Sequence, residues 1–428
     1  MKKYLLLLNA ICLLSSCTQI YRSIAYWTPD IDEYSAFPQD TIECGDSKYG
    51  FYFPEETNPG NVFLTLTSKT DTSKFTLDEY LSKTSTTAFL IIRNDTVIFE
   101  KYYQGYKRSD ISTLFSVTKS VTSLLIGIAV DEGYIESTND PVTKYLPELD
   151  NYDPNFRNLT IKHLLNFQAG FDFDESYINP FSGMARLYYG NNQQKYLKKL
   201  KFIDNPGEVS DYNSATTAFL GLILERATQK SYAEYLEEKV WQPLGMEYNA
   251  LVSLDGKKHR SAKAYAGLNA TALDLAKIGR LYLKEGSWNG NRIISKDWIV
   301  KSKTPNIEIG HIGYKYKGQQ YQWYSKHYMI YDSLGNYKFA DTADAFRYAD
   351  YLNLDYYKVW KYNNKDGSVY YTLYAYYPEF YALGIMNQIL YIDPESNMIM
   401  VRLGKDWDRN SDIGYTHLMH ILSKKLKI

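Results

Sequence analysis

The sequence predicts a mixed α/β (α+β) domain: an antiparallel sheet flanked by helices, joined to a mainly helical subdomain. Three observations carry this expectation. Strand-rich pairs stand near both ends of the main domain, helical periodicity fills the stretch between them, and no internal repeat is present.

In chain order, Ala88–Arg93 and Thr96–Tyr103 are β-rich runs around Asn94-Asp95, a hairpin signal. From Ser116, the apolar residues Val117, Val121, Leu124, Leu125 and Ile128 recur at helical spacing, and Gly133 ends the pattern. Further helices are expected over Ile161–Phe167, Ala215–Ala227 and Tyr232–Trp241, the last stopped by Pro243. Thr271 caps another over Ala272–Leu283, with Asp274 as its capping partner. Asn289-Gly290 reads as a turn, and Ser295 caps a short helix containing Trp298. Two strands, Gln388–Ile392 and Met398–Leu403, flank Asp393-Pro394, and a helix over Ser411–Lys425 closes the chain. The helical subdomain is expected over about 134–262 within a main domain of 86–428.

The ends and the composition bound the rest. The chain has 428 residues and a formal charge of -1, which argues against nucleic-acid binding, since such proteins usually carry a basic excess or stripe. Residues 1–17 read as a secretory signal: Met1-Lys2-Lys3, an apolar run from Tyr4 to Leu14, then Ser15-Ser16-Cys17. Small residues directly before a cysteine resemble the lipobox of bacterial lipoproteins, which makes Cys17 the expected lipid attachment site. Cys44 would then be the one ordinary thiol, so neither a disulfide framework nor a cysteine metal site is expected. Residues 18–85, polar and weakly periodic, read as a tether and N-terminal extension, with room for some strand.

Of the 43 tyrosines, 18 lie between Tyr314 and Tyr381, so this segment reads as an insertion. Tyrosine suits half-buried strands, which favours a β-rich addition over an aromatic wall or lid above a pocket.

The candidate for chemistry is Ser116-Val117-Thr118-Lys119. Ser and Lys three apart on a helix share a face, so an amine can reach the hydroxyl. Lysine acts as a base only when burial or a positive field lowers its pKa, and an apolar helix start supplies both. By itself the pattern is common, and a solvated lysine at a helix start is the competing reading. Tyr212, in Asp211-Tyr212-Asn213-Ser214 after Asn205-Pro206-Gly207, could relay protons if lysine depresses its pKa. The segment Ala382–Gln388 is a candidate strand edge able to donate a backbone N–H to an oxyanion. The six histidines are scattered; His417 and His420 share a helix face but lack an evident carboxylate partner, and no metal site is assigned. Phosphate-cradling and dinucleotide motifs are absent from the sequence.

Together these stretches resemble the serine β-lactamase and penicillin-binding-protein superfamily, in its class C-like branch of esterases, D-amino-acid peptidases and 6-aminohexanoate-dimer hydrolases. Ser116–Lys119 after Leu114-Phe115 matches the Ser-x-x-Lys motif. Leu159–Leu165 resembles a family helix start, followed here by Gln168-Ala169-Gly170. Pro206-Gly207-Glu208 before Tyr212-Asn213-Ser214 resembles the turn before the family's tyrosine. Pro243-Leu244-Gly245-Met246 and Thr271–Gly279 add two further stretches in the same order.

The resemblance implies a β-lactamase/DD-peptidase-like fold, with Ser116 as acylated nucleophile, Lys119 as base and Tyr212 as proton relay. It further implies backbone N–H groups of Ser116 and Gln388 in an oxyanion hole, and Ser214, Met386 and Asn387 at the substrate. The family's Lys-Thr-Gly strand is read at Ile385-Met386-Asn387, where no cation can anchor a β-lactam carboxylate. The implied function is serine hydrolysis of a small-molecule or peptide-like amide or ester, without metal or organic cofactor, in a protein held in the bacterial cell envelope by its N-terminal lipid alone. The alternatives are a binding protein that kept the fold and lost turnover, or a cell-wall D,D-peptidase or β-lactamase. Oligomeric state stays open.

Overall fold

A computed structural model describes residues 18–26, 29–55, 59–67, 72–304, 319–330, 338–354, 357–364, 366–405 and 414–426. Cys17 and the signal segment lie outside the described residues.

The main sheet is antiparallel and has eight strands. Its order is 319–320, 323–329, 369–384, 388–393, 398–404, 86–93 and 96–102, with 357–363 paired to 369–384. Strands Thr86–Arg93 and Met398–Gly404 are buried almost throughout, because the sheet is covered on both faces. Helices Leu77–Lys83 and Tyr415–Lys425 meet one face through Leu81, Leu418 and Leu422, which pack with Phe89, Ile91 and Met400. Helix Ala272–Leu283 meets the other and joins the larger core. Asn94 and Asp95 both take positive φ, 51° and 60°, as a tight hairpin turn requires.

The helix Val117–Asp131 is buried from Val117 through Ala129. A helix hidden on every side belongs inside a core, and this one packs against both the sheet and the helix Ser214–Thr228. The helical subdomain supplies that second side, with helices Ile161–Leu165, Gly183–Tyr189, Gln193–Leu197, Ser214–Thr228 and Tyr232–Leu236. It ends earlier than expected: Ala250–Ser253 is already a strand, in a small sheet with Gln39–Ile42, Leu268–Ala270 and Ser112–Thr113.

The described residues of 18–85 belong to the folded body and do not form a tether. Gln39–Ile42 pairs with Ala250–Ser253, and Ile31, Phe37, Ile42 and Phe51 are buried in the main core. Helix Leu77–Lys83, closed by a Thr76/Glu79 capping box, also precedes the expected domain start at 86. The tyrosine-rich stretch is mainly sheet: its described residues form the strands 319–320, 323–329, 357–363 and 369–384, with one helix, Thr342–Tyr351. His420 does have a carboxylate partner, Glu379, whose Oε1 lies 3.0 Å from Nδ1 and 2.9 Å from Lys424 Nζ. That cluster staples the C-terminal helix to the sheet.

Candidate active site

The short strand Ser112–Thr113 turns directly into the helix Val117–Asp131, and the turn places Ser116 at the helix N-cap. Phe115 takes φ of 46°, a conformation unusual for a bulky residue and held here by full burial of its ring. The first-turn bonds run from the N–H groups of Val117, Thr118 and Lys119 to Leu114, Phe115 and Ser116. The Ser116 N–H is left at the positive end of the helix, where developing negative charge is favoured.

One turn on, Lys119 is 2% exposed. Its Nζ lies 2.9 Å from Ser116 Oγ and donates to the Tyr265 carbonyl at 2.9 Å. Burial lowers the lysine pKa to about 8, against an opposing pull from the Glu175 carboxylate. An amine in that range is partly neutral near pH 7 and can accept a proton. Tyr212 Oη donates to the same Ser116 Oγ at 2.7 Å, and Lys119 Nζ stands 5.1 Å from its ring centroid. Lysine does not depress this phenol as the sequence suggested. Burial pushes its pKa well above the ordinary value, with Tyr177, Tyr324 and Glu175 adding to the rise, so Tyr212 is a neutral donor.

A cleft of about 460 Å³ opens over Ser116, lined by Tyr212, Glu175, Tyr177, Tyr324 and residues 383–387. Met386 and Asn387 are among the residues that line the cleft. Ser214 is not: it is fully buried, donating from Oγ to Glu175 at 2.6 Å and from its N–H at 2.9 Å. It holds a carboxylate instead of a substrate.

Gln388 also falls elsewhere. It is fully buried, opens the strand Gln388–Asp393, and exchanges side-chain hydrogen bonds with the Gly404 backbone at 2.6 and 3.1 Å. The edge beside Ser116 is the end of the strand Val369–Gly384. A Cβ on Gly384 would stand 3.2 Å from Ser116 N and 2.4 Å from the Leu114 carbonyl, so only glycine allows this approach. Ile385–Asn387, read as the family's strand triplet, is instead the turn beyond that edge, with Met386 and Asn387 at φ of 60° and 59°. Arg402, fully buried, clamps the turn by donating to the Met386 and Asn387 carbonyls at 3.1 and 2.9 Å.

Sequence reasoning missed Glu175 and Tyr177. Both lie in a loop without periodicity, between Gly170 and the helix Gly183–Tyr189, and Asp172 and Asp174 stand beside them with no feature marking the functional one. Tyr177 Oη donates to Glu175 Oε1 at 3.0 Å. Burial raises the Glu175 pKa, opposed first by Lys119.

The scaffold is of the β-lactamase/DD-peptidase class, a sheet and a helical subdomain meeting at the Ser116 helix. The beta-lactamase family model matches residues 76–417, and the chain belongs to that family. It is 33% identical over 236 residues to the 6-aminohexanoate-dimer hydrolase of Paenarthrobacter ureafaciens, a match covering 52% of this chain and 58% of that protein. The chain thus matches little more than half the length of that relative. A solved Bacillus anthracis structure, provisionally named a 6-aminohexanoate-dimer hydrolase, has a TM-score of 0.70 over 93% of both chains at 22% identity. A class C beta-lactamase has a TM-score of 0.53 over 82% of this chain and 94% of its own, at 15% identity. At such identities the likeness is one of fold.

Proposed function

We propose that the protein is a serine hydrolase that cleaves an amide or ester through an acyl-enzyme on Ser116. The observation that carries this reading is the sharing of one oxygen, Ser116 Oγ, by a buried amine of lowered pKa and a neutral phenol. Neutral Lys119 takes the Oγ proton as Oγ bonds to the substrate carbonyl carbon. The oxyanion is met by the Ser116 N–H and by the N–H of Ile385, the residue after Gly384 at the cleft wall. Tyr212 gives its proton to the leaving nitrogen or oxygen as that bond breaks, and the Lys119 ammonium then passes the proton it holds to the phenolate left behind. Water then repeats the sequence on the acyl-enzyme.

The described lining of the cleft offers the Glu175 carboxyl and the phenols of Tyr177, Tyr212 and Tyr324, and gives an anionic group on the substrate no cationic partner. The protein works in the bacterial envelope, anchored by lipid on Cys17. An active-site fluorophosphonate tests the reading. It is expected to modify the wild type and spare Ser116→Ala; failure to modify folded wild type would favour a non-catalytic binding protein of the same fold.

A further inference from the structure

If Cys17 carries lipid, the folded protein has almost no slack between lipid and body. The described chain begins at Thr18, already in the helix Thr18–Ala25. That helix is fastened down. Gln19 Nε2 donates to the Pro180 carbonyl at 3.0 Å, and Arg22 Nη1 donates to the Asp255 carbonyl at 3.2 Å. Ser23 is buried, the Arg22 guanidinium lies 5.0 Å from the Phe37 ring centroid, and Tyr189 Oη donates to the Tyr26 carbonyl at 2.9 Å. Two residues of extended chain reach about 7 Å at most. A bilayer holding the lipid would therefore sit against whatever surface surrounds Gln19.

That surface carries exposed apolar side chains among polar ones. Tyr21 is 59% exposed, and Ile178 and Phe181, on the loop that Gln19 touches, are each 63% exposed. Single exposed apolar side chains are ordinary, but a group of them beside an anchor point needs an explanation. Exposed Lys257 and Lys258 follow Asp255, the residue that Arg22 grips, and suit anionic headgroups. The same loop reaches the reaction centre, since Tyr177, next to Ile178, lines the cleft over Ser116.

We propose that the face bearing Ile178 and Phe181, on the loop that Gln19 touches, rests on the lipid bilayer, so that the rim of the Ser116 cleft lies at the membrane surface. This rests on the anchoring reading above. Apolar side chains entering the headgroup boundary add to the hold of the lipid chains, and they fix an orientation that lipid alone would leave free. Substrates would then reach the cleft along the membrane plane, and those partitioning into the interface would be favoured.

The test uses the lipidated protein on vesicles of phosphatidylethanolamine and phosphatidylglycerol. A nitroxide is placed at Ile178→Cys, Phe181→Cys or Tyr351→Cys in a Cys44→Ser background. Tyr351, 76% exposed on the helix Thr342–Tyr351, is the water-facing control. Fluorophosphonate labelling of each variant reports a folded site. On vesicles, collisions with oxygen are expected to rise, and collisions with a water-soluble nickel chelate to fall several-fold, at 178 and 181 but not at 351. Protein that floats with the vesicles while 178 and 181 stay as open to nickel as 351 would overturn the proposed face and leave the anchor standing. Loss of collisions with both reagents would mean that protein, not lipid, covers the face, and would also overturn it. Wild-type protein that fails to float would remove the anchor, and the proposal with it.

Discussion

The phenol of Tyr212 donates to the Ser116 hydroxyl at 2.7 Å while burial holds that phenol above its ordinary pKa. A neutral tyrosine on the Ser116 oxygen is positioned to give a proton, not to take one, so the proposed mechanism assigns the task of base to Lys119. The two roles separate because burial acts oppositely on an acid and an amine: it raises the phenol and lowers the ammonium.

Removing the hydroxyl alone tests the donor role. Tyr212→Phe keeps the ring, whose centroid is 4.9 Å from that of Phe167. For an amide substrate, kcat is expected to fall about 10²–10⁴-fold, the usual range for losing a positioned acid or base. A p-nitrophenyl ester, whose leaving group departs without a proton, should lose much less. Equal losses on both substrates would assign Tyr212 to binding instead.

The pH profile reports on Lys119. As pH rises through about 8 the ammonium loses its proton and becomes the base, so kcat/KM should climb along a basic limb near that value. Glu175 raises the lysine pKa, and Glu175→Gln removes that pull. The limb should then move to lower pH. A limb that stays in place or moves upward would show that the carboxylate does not act on the amine.

Burying an amine costs stability. A pKa lowered from 10.5 to about 8 is worth about 3 kcal/mol against the native state at pH 7. The cost is full below the folded pKa, where the native state must hold a buried ammonium. It fades as pH rises toward the unfolded value, because the unfolded chain binds more protons in that window. Lys119→Met gives up two hydrogen bonds worth about 1 kcal/mol each. It should therefore be inactive yet about 1 kcal/mol more stable than wild type at pH 7, and lose that advantage by pH 10. Urea midpoints at the two pH values measure the difference.

Gly384 is the point where strand and nucleophile meet. In Gly384→Ala the new methyl would press on the Leu114 carbonyl and crowd Ser116 N, so the strand must retreat. A stability loss of about 1–3 kcal/mol is expected from overpacking. With it should come a drop in kcat of about 10²-fold, as for other small misplacements at a reacting centre. Thermal melts and steady-state rates on one preparation separate the two effects.

The parts of the molecule built from local periodicity were legible in the sequence. The helix beginning at Val117 shows itself through apolar spacing. The helix Ala272–Leu283 shows itself through its Thr271 cap, where Oγ1 accepts from the Asp274 N–H at 3.2 Å. Long-range placement was not legible. Ile31, Phe37 and Ile42 are core residues too far apart in the chain to make a pattern, so their segment read as a tether. The strand edge is read within Ala382–Gln388, which contains its end at Gly384, but the family's strand triplet falls on Ile385–Asn387, a turn that uses Met386 and Asn387 at positive φ, where a glycine would have signalled it. Ser214 sits in a recognisable motif, yet its partner Glu175 lies in a loop, and only the folded chain brings the two together.

The most direct test of the account is to trap the covalent intermediate. Wild-type protein mixed with a p-nitrophenyl ester and quenched in acid within the first turnover should carry one acyl group, and peptide mapping should place it on Ser116. An acyl group on any other residue, or turnover with no acylated protein at any quench time, would contradict it.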